Sequence, residues 1–208
     1  MIITEWEQGT FEWLEARVGV LTGTRAISII TPVTMKISAA SRDMILRLID
    51  ENVTRLSSEK SVSTKDIDRG NELEPLARKE YIKKTGTNIN EHGLCLSDKH
   101  PLHGCSPDGF TDDFKGGVEI KCPGFAHLKY IKADTFPMQY KLQIINYFVV
   151  NTKLEWLDFV SFRPEFYPQP LFIKRITRKE LEEGIAKFEA AIDSFFIEYK
   201  TELDNFLF

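Results

Sequence analysis

A mixed α/β fold of the α+β kind, with helices flanking a central mixed sheet, is predicted by three features of the sequence. Apolar residues recur at helical spacing through residues 41–85. Short apolar runs broken by Gly, Pro and Asp fill residues 89–122. Helical spacing then returns beyond Pro123, with two strand-like runs set into it. The 208 residues suffice for a core of their own, and no repeat, low-complexity tract or Gly/Ser-rich linker divides them, so a single domain over 1–208 is expected.

The first helix is expected over Ser41–Leu56, where Met44, Ile45, Leu48, Ile49, Val53 and Leu56 share a face. A polar loop over Ser57–Asp66 separates it from a second helix over Asp68–Thr85, with Leu73, Leu76, Ala77, Tyr81 and Ile82 inward and Gly86 as C-cap. Strands are expected near Gly93–Ser97, Leu102–Ser106, Gly109–Asp112 and Gly117–Cys122. A helix over Pro137–Val150 and strands at Glu155–Phe162 and Leu171–Arg175 follow. The last helix opens on Thr177-Arg178-Lys179-Glu180, a capping-box pattern, and carries Leu181, Ile185, Phe188, Ile192, Phe195 and Tyr199 on one face.

Composition excludes several classes. Hydrophobic residues make up 42% and charged residues 28%, the profile of a globular chain rather than a disordered one. The net charge of -4 repels nucleic acid overall, so any contact with DNA must be local. Cys95, Cys105 and Cys122 are odd in number and not closely paired, unlike a secreted disulfide framework, and a reducing cytosol is the expected setting. MIITEWEQGTFEW carries charges where a signal peptide needs an apolar run, and no stretch approaches the ~20 apolar residues of a membrane span.

The chemistry concentrates in SPDGF, Ser106–Phe110, and VEIKCP, Val118–Pro123. Glu119 and Lys121 are two apart on a strand, so both point to one face while Val118 and Ile120 point to the other, which reads as one charged face and one core face. Asp108 sits in a Pro-Asp-Gly turn, and a hairpin brings its carboxylate beside Glu119. Adjacent carboxylates repel unless a cation lies between them, and a divalent ion with oxygen ligands meets that need. Lys121 then stands where an ammonium can orient water or offset charge developing on phosphate. Each piece alone is an ordinary turn or a solvated strand face; their combination is what carries the reading.

Pro107-Asp108 followed by Glu119-Ile120-Lys121 resembles the PD-(D/E)xK motif of a nuclease superfamily, and its companions point to the lambda-exonuclease and YqaJ-like viral recombinase branch. RGNELEPLAR, Arg69–Arg78, is similar to the branch's motif helix and implies Glu74 as a further metal-site carboxylate, with Glu72 as its rival. Gln143, in Tyr140-Lys141-Leu142-Gln143, matches the branch's Gln-bearing helix and shares a face with Tyr147, as in a QxxxY pattern; Ile145 or Asn146 stands where the branch has a second Gln. EWLEARVGVLTGTR, Glu12–Arg25, is similar to the segment that holds a DNA end. The match implies Arg17 and Thr24 as ligands of a terminal 5′-phosphate, although an ion pair with Glu12 or Glu15 would also account for Arg17.

The resemblance spans Glu5–Arg163 and implies a restriction-endonuclease-like core. It implies a Mg²⁺-dependent 5′-to-3′ exonuclease acting on double-stranded DNA ends, with Mn²⁺ as a substitute. Two ions are implied, held by Asp108, Glu119, Glu74 and the Ile120 carbonyl, with Lys121 activating water. It further implies a homotrimeric ring, a single-strand annealing partner, and a phage or prophage protein in a bacterial cytoplasm. The rivals are an endonuclease of the same fold, which would cut a closed circle, and an inactive DNA-binding module, which the intact Asp108, Glu119 and Lys121 disfavour. His92, His100, His103, Cys95 and Cys105 lack zinc-site spacing, and three cysteines fall short of an iron–sulfur cluster. The stripe Phe188, Phe195, Phe196 and Tyr199 reads as core or subunit contact.

Overall fold

A computed structural model describes residues 1–58 and 65–207. In chain order the elements are β1 (Ile2–Ile3), α1 (Phe11–Ala16), α2 (Ser41–Thr54), α3 (Lys65–Thr85), β2 (Cys95–Leu96), β3 (Gly104–Cys105), β4 (Gly109–Phe110), β5 (Gly116–Lys121), α4 (Ala126–Ala133), α5 (Lys141–Val150), β6 (Trp156–Phe162), β7 (Leu171–Thr177) and α6 (Glu182–Leu207). Single turns of 3₁₀ helix lead into α5 and α6 at Met138–Tyr140 and Lys179–Leu181, and another 3₁₀ segment spans Gly23–Ser28. The expected mixed α/β architecture is present. The polar loop expected over 57–66 falls mainly outside the described residues, and α3 begins at Lys65 rather than Asp68.

The strands form two sheets rather than one. β1-β2-β3 is antiparallel, and β4-β5-β6-β7 is mixed, with β5 and β6 parallel. The break falls at Ser106-Pro107-Asp108, between β3 and β4, where Pro107 has no N–H to give a ladder. The parallel β5–β6 pair needs a long crossover, and residues 122–155 supply it with α4 and α5. Gly116 is required at the start of β5, because a Cβ there would lie 2.1 Å from the Trp156 ring.

Both faces of the four-stranded sheet are covered. Val118, Ile120, Val160 and Phe162 pack against Leu73, Ala77 and Tyr81 of α3, while Leu157 and Phe159 pack with Ile144, Tyr147 and Phe148 of α5. The face read as charged is therefore buried as well, and Glu119 has no solvent exposure. Beyond α5 lies α6, which also packs on α2 and places Phe188, Phe195 and Tyr199 in the core.

Helix ends follow the local chemistry. Gly86 closes α3 with φ +70°, donating its N–H to the Ile82 carbonyl at 2.8 Å. The capping box at Thr177 forms in both directions: the Thr177 N–H donates to Glu180 Oε2 at 2.6 Å and the Glu180 N–H to Thr177 Oγ1 at 3.3 Å. α2 ends sooner than expected, with Arg55 in the left-handed region at φ 61°, which leaves Leu56 beyond the helix and exposed, while Val53 is exposed on the outer face of its last turn. Leu76 is also exposed, one residue off the stripe of Leu73, Ala77 and Tyr81.

Two buried polar clusters fix the elements that flank the site. Arg25 donates to both oxygens of Glu51 at 2.8 and 3.0 Å, and Glu51 also accepts from the Gly19 N–H at 2.7 Å. Burial works against the Glu51 charge, but Arg25 and Ser58 overcome it and hold the carboxyl down at about 2. This pins the segment carrying Thr22 and Thr24 to α2. In the second cluster Asn146 donates to the Gly104 carbonyl at 2.9 Å and accepts from His103 Nε2 at 2.6 Å, tying α5 to β3. His103 Nδ1 has no hydrogen-bond partner among the described residues.

Burial pushes the His103 imidazole down to about 4. The unfolded chain takes up a proton near 6.5, so this stabilising contribution is complete above that pH and is lost as pH falls toward 4. Roughly 3 kcal/mol of stability should disappear over that range. Urea unfolding at pH 7 and pH 4.5 should show the loss, and a His103→Gln variant should flatten it. A variant as acid-sensitive as the wild type would remove His103 as its source.

Candidate active site

The register of β4 on β5 builds the centre. Gly109 pairs with Val118 and Phe110 with Gly117, so the residue before β4 falls level with Glu119. Asp108 is that residue, and its Oδ2 accepts the Ile120 N–H at 2.6 Å. Asp108 thus stands at the open end of the β4–β5 hairpin, not in its tip, which spans residues 111–115. The expected meeting with Glu119 occurs by this route. Burial raises the Asp108 pKa well above the carboxylate range, and the nearby charges of Glu119 and Glu74 raise it further, against the opposing pull of Lys121.

Lys121 forms an ion pair with Glu119 Oε1. Burial acts to discharge the ammonium, but Glu119 and Asp108 outweigh it and raise the Lys121 pKa, so the cation persists at neutral pH. The other oxygen of Glu119 is held from α5: Tyr147 donates its hydroxyl to Oε2 at 2.5 Å, and Gln143 Nε2 donates to that hydroxyl at 3.3 Å. Burial, reinforced by Glu119, pushes the Tyr147 phenol far up, which keeps it a neutral donor.

Glu74 reaches the same cleft from α3. Its Oε1 accepts from Arg78 at 2.8 Å, while Arg78 Nε donates to the Asp108 carbonyl at 3.1 Å, so one guanidinium joins the helix to the Asp108 turn. Pro75 has no N–H for the Asn71 carbonyl one turn earlier, and Asn71 lines the cleft beside Glu74. Glu72 is exposed and does not line the cleft.

The cleft has a volume of about 840 Å³ and runs from Glu74 and Lys121 past Arg17 and Thr24 to Phe125 and Tyr140. A smaller recess opens beside it, lined by Arg17, Thr22, Thr24, Ser106 and Gln143. Arg17 donates to Ser106 Oγ at 3.0 Å and to Thr22 Oγ1 at 3.5 Å, and its guanidinium lies 4.4 Å from the Trp13 ring centroid. The structure therefore brings Arg17, Thr24 and Gln143 to one recess, next to Asp108, Glu119 and Lys121.

Three contributors escaped the sequence reading. Ser106 is two residues before Asp108 and meets Arg17. Gln8 Nε2 donates to the carbonyls of His92 and Pro107, both at 2.8 Å, and so clamps the turn that carries Asp108. The third is α4, whose short apolar pattern gave no periodic signal.

The donor set suits a hard divalent cation. The buried Glu119 carboxylate lies beside the half-buried Asp108 carboxylate, and among the described residues Glu119 Oε1 is met by the Lys121 ammonium alone. Among the described residues no three His, Cys, Asp or Glu side chains converge as a metal-holding group. Glu74 is turned toward Arg78, which leaves Asp108 and Glu119 as the near pair. The three cysteines are free and buried.

Paired carboxylates and a lysine beside a cleft on a mixed sheet accord with a nuclease, and the solved structures that this chain resembles are exonucleases. It matches the alkaline exonuclease LHK-Exo of Laribacter hongkongensis at 31% identity and TM-score 0.81, over 95% of this chain and 96% of that one. The same enzyme in complex with dAMP matches at 31% identity and TM-score 0.80, with the same coverage. A phage-related exonuclease of Haemophilus somnus 129PT shares the fold at 16% identity and TM-score 0.57, over 88% of this chain and 96% of that one. No curated protein matches the chain. The YqaJ-like viral recombinase domain matches residues 12–154, and the chain belongs to that family. No helix among the described residues is long and apolar enough to cross a membrane.

Tyr147→Phe removes the hydroxyl that orients Glu119 while keeping the ring in the core. Losing a hydrogen bond to a buried charge costs about 1.5–3 kcal/mol, so kcat on linear DNA should fall roughly tenfold to a hundredfold with the fold retained. Unchanged kcat would show that Glu119 is oriented without Tyr147.

Proposed function

We propose that the chain is a Mg²⁺-dependent exonuclease that degrades one strand of duplex DNA from its 5′ end, leaving 3′ overhangs for phage-type recombination by single-strand annealing. The observation that carries the reading is the recess of Arg17, Thr24, Ser106 and Gln143 directly beside Asp108, Glu119 and Lys121. It sets a cationic, hydroxyl-rich pocket for a phosphate next to a centre suited to hydrolysis. The complex of LHK-Exo with dAMP, a deoxynucleoside monophosphate, supports a DNA-derived ligand.

Asp108, Glu119, the Ile120 carbonyl and Glu74 would hold the metal, as Mg²⁺ or Mn²⁺, and two ions accord with the resemblance. Bound there, a divalent ion supplies Lewis acidity toward phosphate and a more acidic water. Lys121, kept protonated by its neighbours, orients water and offsets charge developing on the phosphate. Tyr147 and Gln143 fix Glu119 from the side remote from Lys121. Arg17 presents a planar fork suited to two oxygens of a terminal phosphate, with Thr24 and Ser106 as hydroxyl donors. A homotrimeric ring suits a chain of net charge -4, because a closed lumen retains DNA without a basic exterior. A single-strand annealing protein is the proposed partner.

Lys121→Ala should abolish hydrolysis of linear duplex DNA while the circular dichroism spectrum stays that of the folded chain, at a lower melting temperature because Glu119 loses its counter-charge. Substantial residual turnover would sink its assigned role. The rival endonuclease reading predicts cutting of covalently closed circles, which the wild type should leave intact.

Arg17→Ala separates end recognition from general backbone binding. Wild-type enzyme should start faster on 5′-phosphorylated than on 5′-hydroxyl ends. The variant should lose that preference, by about 1.5–3 kcal/mol or roughly tenfold to a hundredfold in initiation. Equal slowing on both kinds of end would make Arg17 a general contact and remove the end-directed reading.

A further inference from the structure

Helix α4 and the residue that opens it have no chemical role in the reading so far, yet they form one lip of the cleft. Phe125 lines it together with Lys121 and Tyr130, and is 66% exposed. A lone exposed apolar residue needs no explanation by itself. Phe125 differs because its position is fixed and its surroundings are cationic.

The fixing comes from His127. Its ring is buried, with Nδ1 2.8 Å from Ser161 Oγ and Nε2 2.8 Å from the Gln169 carbonyl. Ser161 is the register partner of Lys121 on the neighbouring strand. The start of α4 is thereby tied to the strand pair that carries Lys121, which sets the backbone from which Phe125 projects beside the cleft.

The charge comes from Lys129 and Lys132. Both are exposed, and residues 125–133 contain no acidic side chain in a chain of net charge -4. Lys129 Nζ lies 5.4 Å from the Phe125 ring centroid. Asp134, the next acid along the chain, pairs with Lys174, and an aromatic face beside ammonium groups with no carboxylate partner among the described residues is the chemistry that receives single-stranded nucleic acid, with bases stacking on the ring and phosphates meeting the cations. A duplex does not satisfy it, because paired bases present edges to the grooves and keep their faces inside the stack.

We propose that Phe125, Lys129 and Lys132 form a subsite for an unpaired stretch of single-stranded DNA beside the hydrolytic centre. Phe125 stacks on one base and the lysines contact backbone phosphates. The subsite rests on the nuclease reading and adds to it a second, sequence-tolerant contact on the far lip of the cleft.

The test is binding of a nuclease-resistant phosphorothioate oligonucleotide carrying 2-aminopurine at successive positions, with Mg²⁺ present. Wild-type protein should quench the fluorophore at one position. Phe125→Ala should abolish that quench and weaken binding roughly fivefold to a hundredfold, the range for losing one stacked base. Phe125→Trp should keep both signals. Lys129→Gln and Lys132→Gln should each lower the slope of log K against log salt by about 0.7, the value for one single-strand phosphate contact. Quenching that survives in Phe125→Ala, or affinity and salt slope unmoved by all the substitutions, overturns the subsite. The nuclease reading fails by a separate result, a wild type that leaves linear duplex DNA intact, and the binding measurement stays readable in that case.

Discussion

Two carboxylates held side by side, Glu119 buried and Asp108 half-buried, are the constraint around which this molecule is arranged. At Asp108 burial penalises the charge, and the neighbouring Glu119 carboxylate worsens its position further. A fold tolerates such a pair only by surrounding it with fixed donors and counter-charge. Here Lys121 supplies the charge, Tyr147 and the Ile120 N–H supply hydrogen bonds, and Arg78 braces the turn from behind. Replacement by apolar residues would relieve that electrostatic cost at once, so the cluster is best understood through its chemistry rather than its stability.

That constraint explains the divided sheet. A continuous strand from β3 into β4 would pass Asp108 along the ladder with its backbone paired. Pro107 interrupts the ladder instead, and the freed turn lets the carboxylate reach the Ile120 N–H. The turn must then be held by other means. Gln8 grips the Pro107 carbonyl from the amino-terminal segment and Arg78 grips the Asp108 carbonyl from α3. Both cores contribute, because α3 packs on one face of the sheet and α5 on the other, and the site lies where the strand between them ends.

How much of this could be read from the sequence follows from the range of each interaction. α2, α3 and α6 bury long apolar stripes, and period alone reveals such helices. α1 spans six residues with none buried, and α4 eight with only His127 buried, so neither leaves a periodic trace. Asp108, Glu119 and Lys121 were legible because they lie within fourteen residues on a strand and its neighbouring turn. Ser106 and Gln8 were not, since their partners lie 89 and 99 residues away along the chain. The burial of Glu119 was misjudged for the same reason: alternation assigns a face, but only the packing of α5 decides whether that face meets water.

The net charge of -4 conceals an ordered arrangement of sign along the cleft. At its centre are the carboxylates, which repel phosphate until a cation is present. Around them stand Arg17 on the amino-terminal side and Lys129 on the α4 side, each beside an aromatic ring. Such an arrangement makes binding and hydrolysis depend on one another. In the proposed nuclease the cationic lips would hold a strand by its phosphates at a distance from the centre, and the centre would accept the intervening phosphate only once its own charge is neutralised. Long-range attraction would instead draw DNA onto the surface without regard to register. On that proposal, an acidic chain with local cations gives up some speed of encounter and gains control over where along the strand the phosphate would meet Asp108, Glu119 and Lys121.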